Sequence, residues 1–207
     1  MNEGILRWWW IRHAPTVGPA HLIHGTDDTP ADLSDAIAMS RLAKLLPADA
    51  MGLTSAVPRA IQTYDALRQL NRDLTTANID PDFGEQDFGK WTGRSWDELA
   101  PITRTFWKDP IGTAPPGGES YRAMCQRVQR CIVMRSETQR GNLVTVAHAG
   151  PIRAALAIAL DMPFESSIRF EIAPLSLTRI DAIATTSGVS WRVLAVNVRP
   201  GDFNADY

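Results

Sequence analysis

Two short apolar runs, residues 6–11 (Leu-Arg-Trp-Trp-Trp-Ile) and 143–147 (Leu-Val-Thr-Val-Ala), each stop at a histidine: His13, just after Arg12, and His148. Runs this short and this rich in β-formers suit strands buried on both faces, as in a parallel sheet. Around them the chain alternates strand-like and helix-like stretches. Residues 51–56 read as a second strand and 74–79 as a weaker one, with late strands at 176–180 and 191–196. Ser34 suits the N-cap of a helix running to Leu46, with Ala38, Leu42, Leu45 and Leu46 on one face and Pro47 ending it. Pro58 fits a first helical turn, and that helix extends to about Leu70. Residues 96–107 read as helical, stopped before Pro110, and Gly150-Pro151 opens a helix to Leu160 that is apolar nearly all round.

The clearest helix starts at Ser120. Tyr121, Met124, Cys125, Val128, Cys131 and Ile132 recur at spacings of three and four, while Arg122, Gln126, Arg127, Gln129 and Arg130 take the other side. Both cysteines of the chain therefore belong to the core stripe, which favours packing over redox or metal chemistry. Strands alternating with helices specify an α/β protein, a three-layer α/β/α sandwich on a mostly parallel sheet. The 207 residues fit one domain spanning 1–207. The Gly- and Pro-punctuated segment at about 82–118 reads as an elaboration over the sheet, and the tail from Asn197 as loosely held.

Composition narrows the function classes. A hydrophobic fraction of 44% with 21% charged residues is that of an ordinary globular chain, which excludes disordered and fibrous classes. A net charge of -2 offers no overall attraction for nucleic acid or for an anionic membrane. No apolar run spans a bilayer, and Glu3, Arg7 and Arg12 break up any export signal, so a cytoplasmic location is expected. No metal-ligand spacing and no cofactor motif occurs, so neither a metal nor a cofactor is expected.

Chemistry concentrates at the strand ends. Of the four histidines, His13, His21, His24 and His148, two stand at the carboxyl ends of the runs that open this section. Ligands of open α/β sheets bind at that edge. Arg12 precedes His13, and Arg59 lies in the first turn of the helix after the second strand. Forked guanidinium donors, backbone N–H groups and the positive end of a helix together suit a phosphate.

The same residues fall into five ordered motifs. They are Arg12-His13-Ala14, Ser55-x-x-x-Arg59-Ala60-x-x-Thr63, Glu85-x-x-Phe88-Gly89-x-Trp91-x-Gly93, Gly117-Gly118-Glu119-Ser120 and Ala147-His148-Ala149-Gly150-Pro151-Ile152-Arg153. Over about residues 6–160 the chain resembles the histidine phosphatase superfamily, also called phosphoglycerate-mutase-like. The resemblance implies that His13 attacks phosphorus to form a phosphohistidine, and that Arg12, Arg59 and His148 line the phosphate pocket with it. It implies that Glu85 protonates the leaving alkoxide and then activates water, with no metal needed. Asp87 is the rival carboxylate. Glu119 is read as part of the helix start with Ser120, the three consecutive tryptophans as packing, and Thr16 and His24 as candidate substrate contacts. The loop at 21–28 is read as closing over the substrate.

Two departures stand out. Ala14 replaces the glycine that usually follows the first histidine, and Pro19 stands where an asparagine is frequent. Mutases of the superfamily carry a longer insertion than the stretch from Glu85 to His148, which favours the phosphatase branch, with an α-ribazole phosphatase type as the leaning. The expected partner is a small phosphorylated metabolite, and a homodimer is compatible with an apolar edge such as 191–196. A mutase-type phosphoryl transfer, with Arg94 and Arg104 as mouth cations, is one alternative. A non-catalytic phospho-ligand-binding module is another, disfavoured because His13, Arg12, Arg59, His148 and Glu85 are all present.

Overall fold

In the computed structural model, which describes residues 4–202, six strands form one sheet. They are β1 (Ile5–Arg12), β2 (Met51–Thr54), β3 (Ala77–Ile79), β4 (Gly141–Ala147), β5 (Leu177–Thr185) and β6 (Gly188–Val198). Their spatial order is β3-β2-β4-β1-β5-β6. The pairs β3–β2, β2–β4 and β4–β1 are parallel, whereas β1–β5 and β5–β6 are antiparallel. Helices α1 (Ala36–Leu45) and α2 (Pro58–Leu70) pack on one face, and α4 (Tyr121–Thr138) and α5 (Ala149–Ala159) on the other. Short helices α3 (Trp96–Leu99) and α6 (Phe164–Ser167) complete the set. The α/β sandwich with a mostly parallel sheet is thus the fold observed. Among the described residues no helix is long and apolar enough to cross a membrane.

The period of two in a strand divides the three tryptophans between the two layers. Trp8 and Trp10 are fully buried against α4 and α5, stacked at 4.9 Å with Phe83 at 6.2 and 5.6 Å from them. The Trp8 indole N–H donates to Ser136 Oγ at 3.1 Å. Trp9 faces the α1 and α2 side, where its N–H donates to Asn142 and the Arg179 guanidinium lies 4.1 Å from its ring centroid. The tryptophans therefore pack. The strand is not buried evenly on both faces, because Arg7 and Trp9 stay half-buried, Trp9 beneath the Arg179 guanidinium.

Helix α4 follows the sequence reading closely. Ser120 caps it by accepting from the Ala123 N–H at 3.2 Å, and the whole apolar stripe is buried, both free cysteines included. Helix α2 has the expected bounds.

Several boundaries differ, each for a local reason. The cap of α1 is Asp35, whose carboxylate accepts from the Ala38 N–H at 2.9 Å, while Ser34 turns its own N–H to Asp32. Residues 96–107 do not form one helix: α3 stops at Leu99, and a single 3-10 turn follows at Phe106–Lys108. Pro101 has no N–H to continue the ladder. The second and third strands are shorter than expected, and the late strands are longer and form a hairpin. Asp181 interrupts the apolar pattern of β5, yet it is buried because Arg179 and Arg192 both pair with it at 2.8 Å. The start of the tail is held, since Asn197 lies in β6 and accepts from the Ala173 N–H at 2.6 Å. Glu3 and residues 203–207 lie outside the described residues.

Phe83 ties the 3-10 turn Pro81–Phe83 under the stacked tryptophans. Phe83→Ala is expected to lower unfolding stability by about 3–5 kcal/mol, read as a fall in the urea midpoint at unchanged slope.

Candidate active site

Parallel pairing of β1 with β4 sets Arg12 beside Ala147, and the His13 N–H donates to the Ala147 carbonyl at 3.0 Å. The next residue of each strand is a histidine, so the His13 and His148 rings stand 5.0 Å apart. Strand β2 pairs on the far side of β4, and its exit into α2 brings Ser55, Arg59 and Thr63 to the same edge. All three are buried and each has a partner at the site. Ser55 Oγ lies 2.8 Å from His148 Nε2, and Thr63 Oγ1 accepts from the Ala14 N–H at 3.0 Å. The Arg59 Nε–H donates to His13 Nε2 at 3.1 Å.

Hydrogen bonding fixes the proton on the His13 ring. His13 Nδ1 lies 2.6 Å from the Ala14 carbonyl, which only accepts, so Nδ1 carries the hydrogen and Nε2 keeps its lone pair. That lone pair receives the Arg59 Nε–H. Ser55 Oγ accepts from the Val57 N–H at 3.3 Å and can give its own proton to His148 Nε2. His148 Nδ1 is a buried atom with no protein partner. Arg12 donates to the Ile172 carbonyl at 2.6 Å and leaves a buried Nε without a partner. Buried polar atoms without a partner are costly, and an anion could accept from the Arg12 Nε–H.

Burial, reinforced by the charges of Arg59 and Arg12, drives the His13 pKa well below the usual histidine range. His148 is shifted the same way by burial first, then by His13, Arg59 and Arg12. Burial also lowers the two arginine pKa values, opposed chiefly by the carboxylate of Glu85. The pocket is therefore two neutral imidazoles among cations.

Glu85 arrives from a loop held by its own contacts. Its carboxylate accepts from the Gly150 N–H in the first turn of α5, at 3.1 and 3.3 Å. A Cβ on Gly150 would sit 2.3 Å from Glu85 Oε1, so that close approach requires glycine. Arg127 clamps the loop from below, donating to the carbonyls of Asp82 (2.6 Å) and Glu85 (2.9 Å) and pairing with Glu119 at 2.6 Å. Glu119 also accepts from the Asp87 N–H, so it fastens this loop instead of the helix start, where Ser120 is the cap. Asp87 caps its own turn by accepting from the Gly89 N–H at 2.8 Å. The motif glycines meet here: a Cβ on Gly118 would lie 2.2 Å from the Asp87 carbonyl, and Gly89 has a positive φ of 51°.

The loop at 21–28 closes onto Arg59. Arg59 donates to the Gly25 carbonyl and to Asp27 at 2.9 Å, and Asp27 in turn accepts from His24 at 3.0 Å and from Thr29 at 2.8 Å. His24 thus stands behind Asp27, one step from the site. His21 is exposed, and Thr16 sits in a two-residue bridge with Ala31. Sequence reasoning missed Asp27 and Arg127 because nothing in the local pattern distinguishes them from solvated charges. Asp80, Asp82 and Cys131 come close enough to share a metal ion, but Asp80 pairs with Arg135 at 2.7 Å and the Cys131 thiol, pushed up to about 12 by burial, donates to Asp82.

Comparison with known proteins agrees with this geometry. The family model described as "Histidine phosphatase superfamily (branch 1)" matches residues 8–198. The adenosylcobalamin/α-ribazole phosphatase of Escherichia coli is 29% identical over 173 residues, 81% of this chain and 85% of that protein. The glucosyl-3-phosphoglycerate phosphatase of Mycolicibacterium vanbaalenii is 30% identical over 174 residues, covering 75% of each. The crystal structure of the α-ribazole phosphatase from Shigella flexneri superposes with a TM-score of 0.77 at 28% identity, over 93% of this chain and 98% of that one. The chain spans only 30% of the length of the longer mycobacterial relatives that it also matches.

Neutral His13 and His148 link stability to pH. The unfolded chain takes up protons below about pH 6.5 and the folded chain does not, so stability is full above that pH and falls as pH drops toward the depressed folded values. Between pH 7.5 and 5.5 each histidine should contribute about 1.4 kcal/mol in total, with the slope steepening below pH 6.5. Urea midpoints between pH 7.5 and 5.5 read it, and His148→Gln should remove about half of the dependence.

Proposed function

The chain belongs to the histidine phosphatase superfamily, and from that premise we propose that it hydrolyses a small phosphate monoester through a phosphohistidine on His13, without a metal ion. The observation that carries this reading is the His13 tautomer. Its Nδ1–H is donated to the Ala14 carbonyl, which aims the Nε2 lone pair into a pocket shared with Arg12, Arg59 and His148. A phosphate entering that pocket takes over the Arg59 N–H now resting on His13 Nε2, together with the unpartnered Nε–H of Arg12.

In the first step the Nε2 lone pair forms a bond to phosphorus while the ester P–O bond breaks. The leaving alkoxide takes a proton from Glu85. In the second step the Glu85 carboxylate takes a proton from water, the water oxygen bonds to phosphorus, and the P–N bond breaks to restore His13. The guanidinium groups and the first turn of α5 offset charge on the phosphoryl oxygens, the larger part of catalysis in such transfers. Depressed histidine pKa values keep the nucleophile unprotonated into mildly acidic solution.

Thr16 remains a candidate substrate contact in this reading, whereas His24 bears on the site only through Asp27 and Arg59. A small phosphorylated metabolite as substrate and a cytoplasmic setting belong to the same proposal. The names of the relatives support phosphatase chemistry, and α-ribazole phosphate is the first ester to assay because two of the relatives named above carry that name.

His13→Ala is expected to abolish phosphate release from every ester, with wild-type activity intact in EDTA. Loss of activity in EDTA that a divalent ion restores would overturn the metal-free mechanism. Glu85→Gln should slow release from alkyl esters by about 10²–10⁴-fold. With p-nitrophenyl phosphate, whose leaving group needs no proton, the same variant should give a burst of nitrophenol and an accumulating phosphohistidine.

A further inference from the structure

Beside Glu85 opens a cavity of about 300 Å³ lined by Gly150, Arg153, Phe88, Trp96 and Trp107, among others. Its size is at the lower end for small-ligand sites. Since Glu85 stands in its wall as the donor to the leaving group, the alcohol portion of the ester occupies this space.

Two of its walls are unusual for a protein surface. Trp96 is 36% and Trp107 56% exposed, with ring centroids 5.1 Å apart. They are not frayed. The Trp107 indole N–H donates to Thr103 Oγ1 at 3.1 Å, and Phe106 packs edge-on against Trp107 at 5.2 Å and against Trp91 at 4.9 Å. Phe106 and Trp91 belong to a small buried cluster with Ile23 and Leu99, so the exposed pair is the fixed rim of a core. Rigid indole faces left in water are favourable places for a planar partner. Arg153 on the same cavity donates its Nε–H to the Phe170 carbonyl at 2.9 Å and makes no ion pair among the described residues. A guanidinium plane so placed stacks on aromatic rings.

We propose that Trp96, Trp107 and Arg153 form a specificity pocket for a flat aromatic or heteroaromatic ring in the leaving alcohol, a proposal that rests on the phosphatase reading of the same site. A purely hydroxylated leaving group would leave the exposed indole surface of both tryptophans without an apolar partner. The segment at 82–118 would then set substrate choice, while the strand ends supply the chemistry.

The test compares two esters matched in size and in the acidity of the alcohol, 2-phenylethyl phosphate and 2-cyclohexylethyl phosphate. Wild-type kcat/KM should favour the planar ring by at least about fivefold, the lower end of aromatic stacking. Trp107→Ala should bring that ratio near one. A ratio near one in the wild type, or a Trp107→Ala variant that loses activity on both esters with the ratio intact, overturns the pocket. Calorimetric binding of the matching non-hydrolysable phosphonates separates the two layers of the argument. A ring preference in binding, abolished in Trp107→Ala, supports the pocket even if neither ester is hydrolysed, an outcome that would instead overturn the phosphatase reading. Equal phosphonate affinities overturn the pocket.

Discussion

Parallel pairing between β1 and β4 is the constraint from which the site follows. In a parallel pair both strands end on the same side, so two residues in register at that end are neighbours whatever the sequence distance between them. Here the register couples Arg12 to Ala147, and the residues that follow are His13 and His148. The backbone bond from the His13 N–H to the Ala147 carbonyl extends that register one residue past the strand. Tryptophans 8 and 10 and their Phe83 neighbour hold the strand against α4 and α5, so packing well below the site keeps the two imidazoles at fixed separation. Small shifts in such a packed core are resisted, which is how a sheet can position catalytic atoms.

Around that pair the molecule balances buried charge. Arg59 is almost wholly buried, and four of its hydrogen bonds tie together α2, His13 and the loop at 25–27. Removing a guanidinium from water is tolerable only with partners of this quality. Glu85 comes from the loop that follows the turn carrying Phe83. Arg127, Glu119 and the glycine contacts near 89 and 118 press the loop against α5, so Glu85 reaches the Gly150 N–H. The supports of His13 and Glu85 meet at Phe83, which packs under Trp8 and Trp10, and at Ile23, which packs with Trp91.

Much of this was legible in the chain. The strand-to-histidine transitions at 13 and 148, the 3.6-residue stripe of α4, and the proline at the start of α2 all depend on local patterns, and each element formed where those patterns placed it. The ordered motifs located His13, Arg12, Arg59, Glu85 and His148. What escaped was whatever depended on distant partners. Asp181 looked like the end of a strand because a lone carboxylate ends an apolar run, and only Arg179 and Arg192 make it part of β5. Residues 96–107 have helical spacing but carry Pro101, and the aromatic side chains there serve a small separate cluster.

Sequence by itself determined the fold class, the family and the identity of the charged and imidazole groups at the strand ends, because hydrophobic period and motif order are properties of the chain alone. Tertiary structure alone decided which nitrogen of His13 carries its proton, which charges stand behind Arg59 and Glu85, and which aromatic rings face the cavity. Those features are set by hydrogen bonds and burial between segments tens of residues apart, such as Arg59 with Asp27 and Arg127 with Glu85. A linear pattern has no means to encode a distance between them.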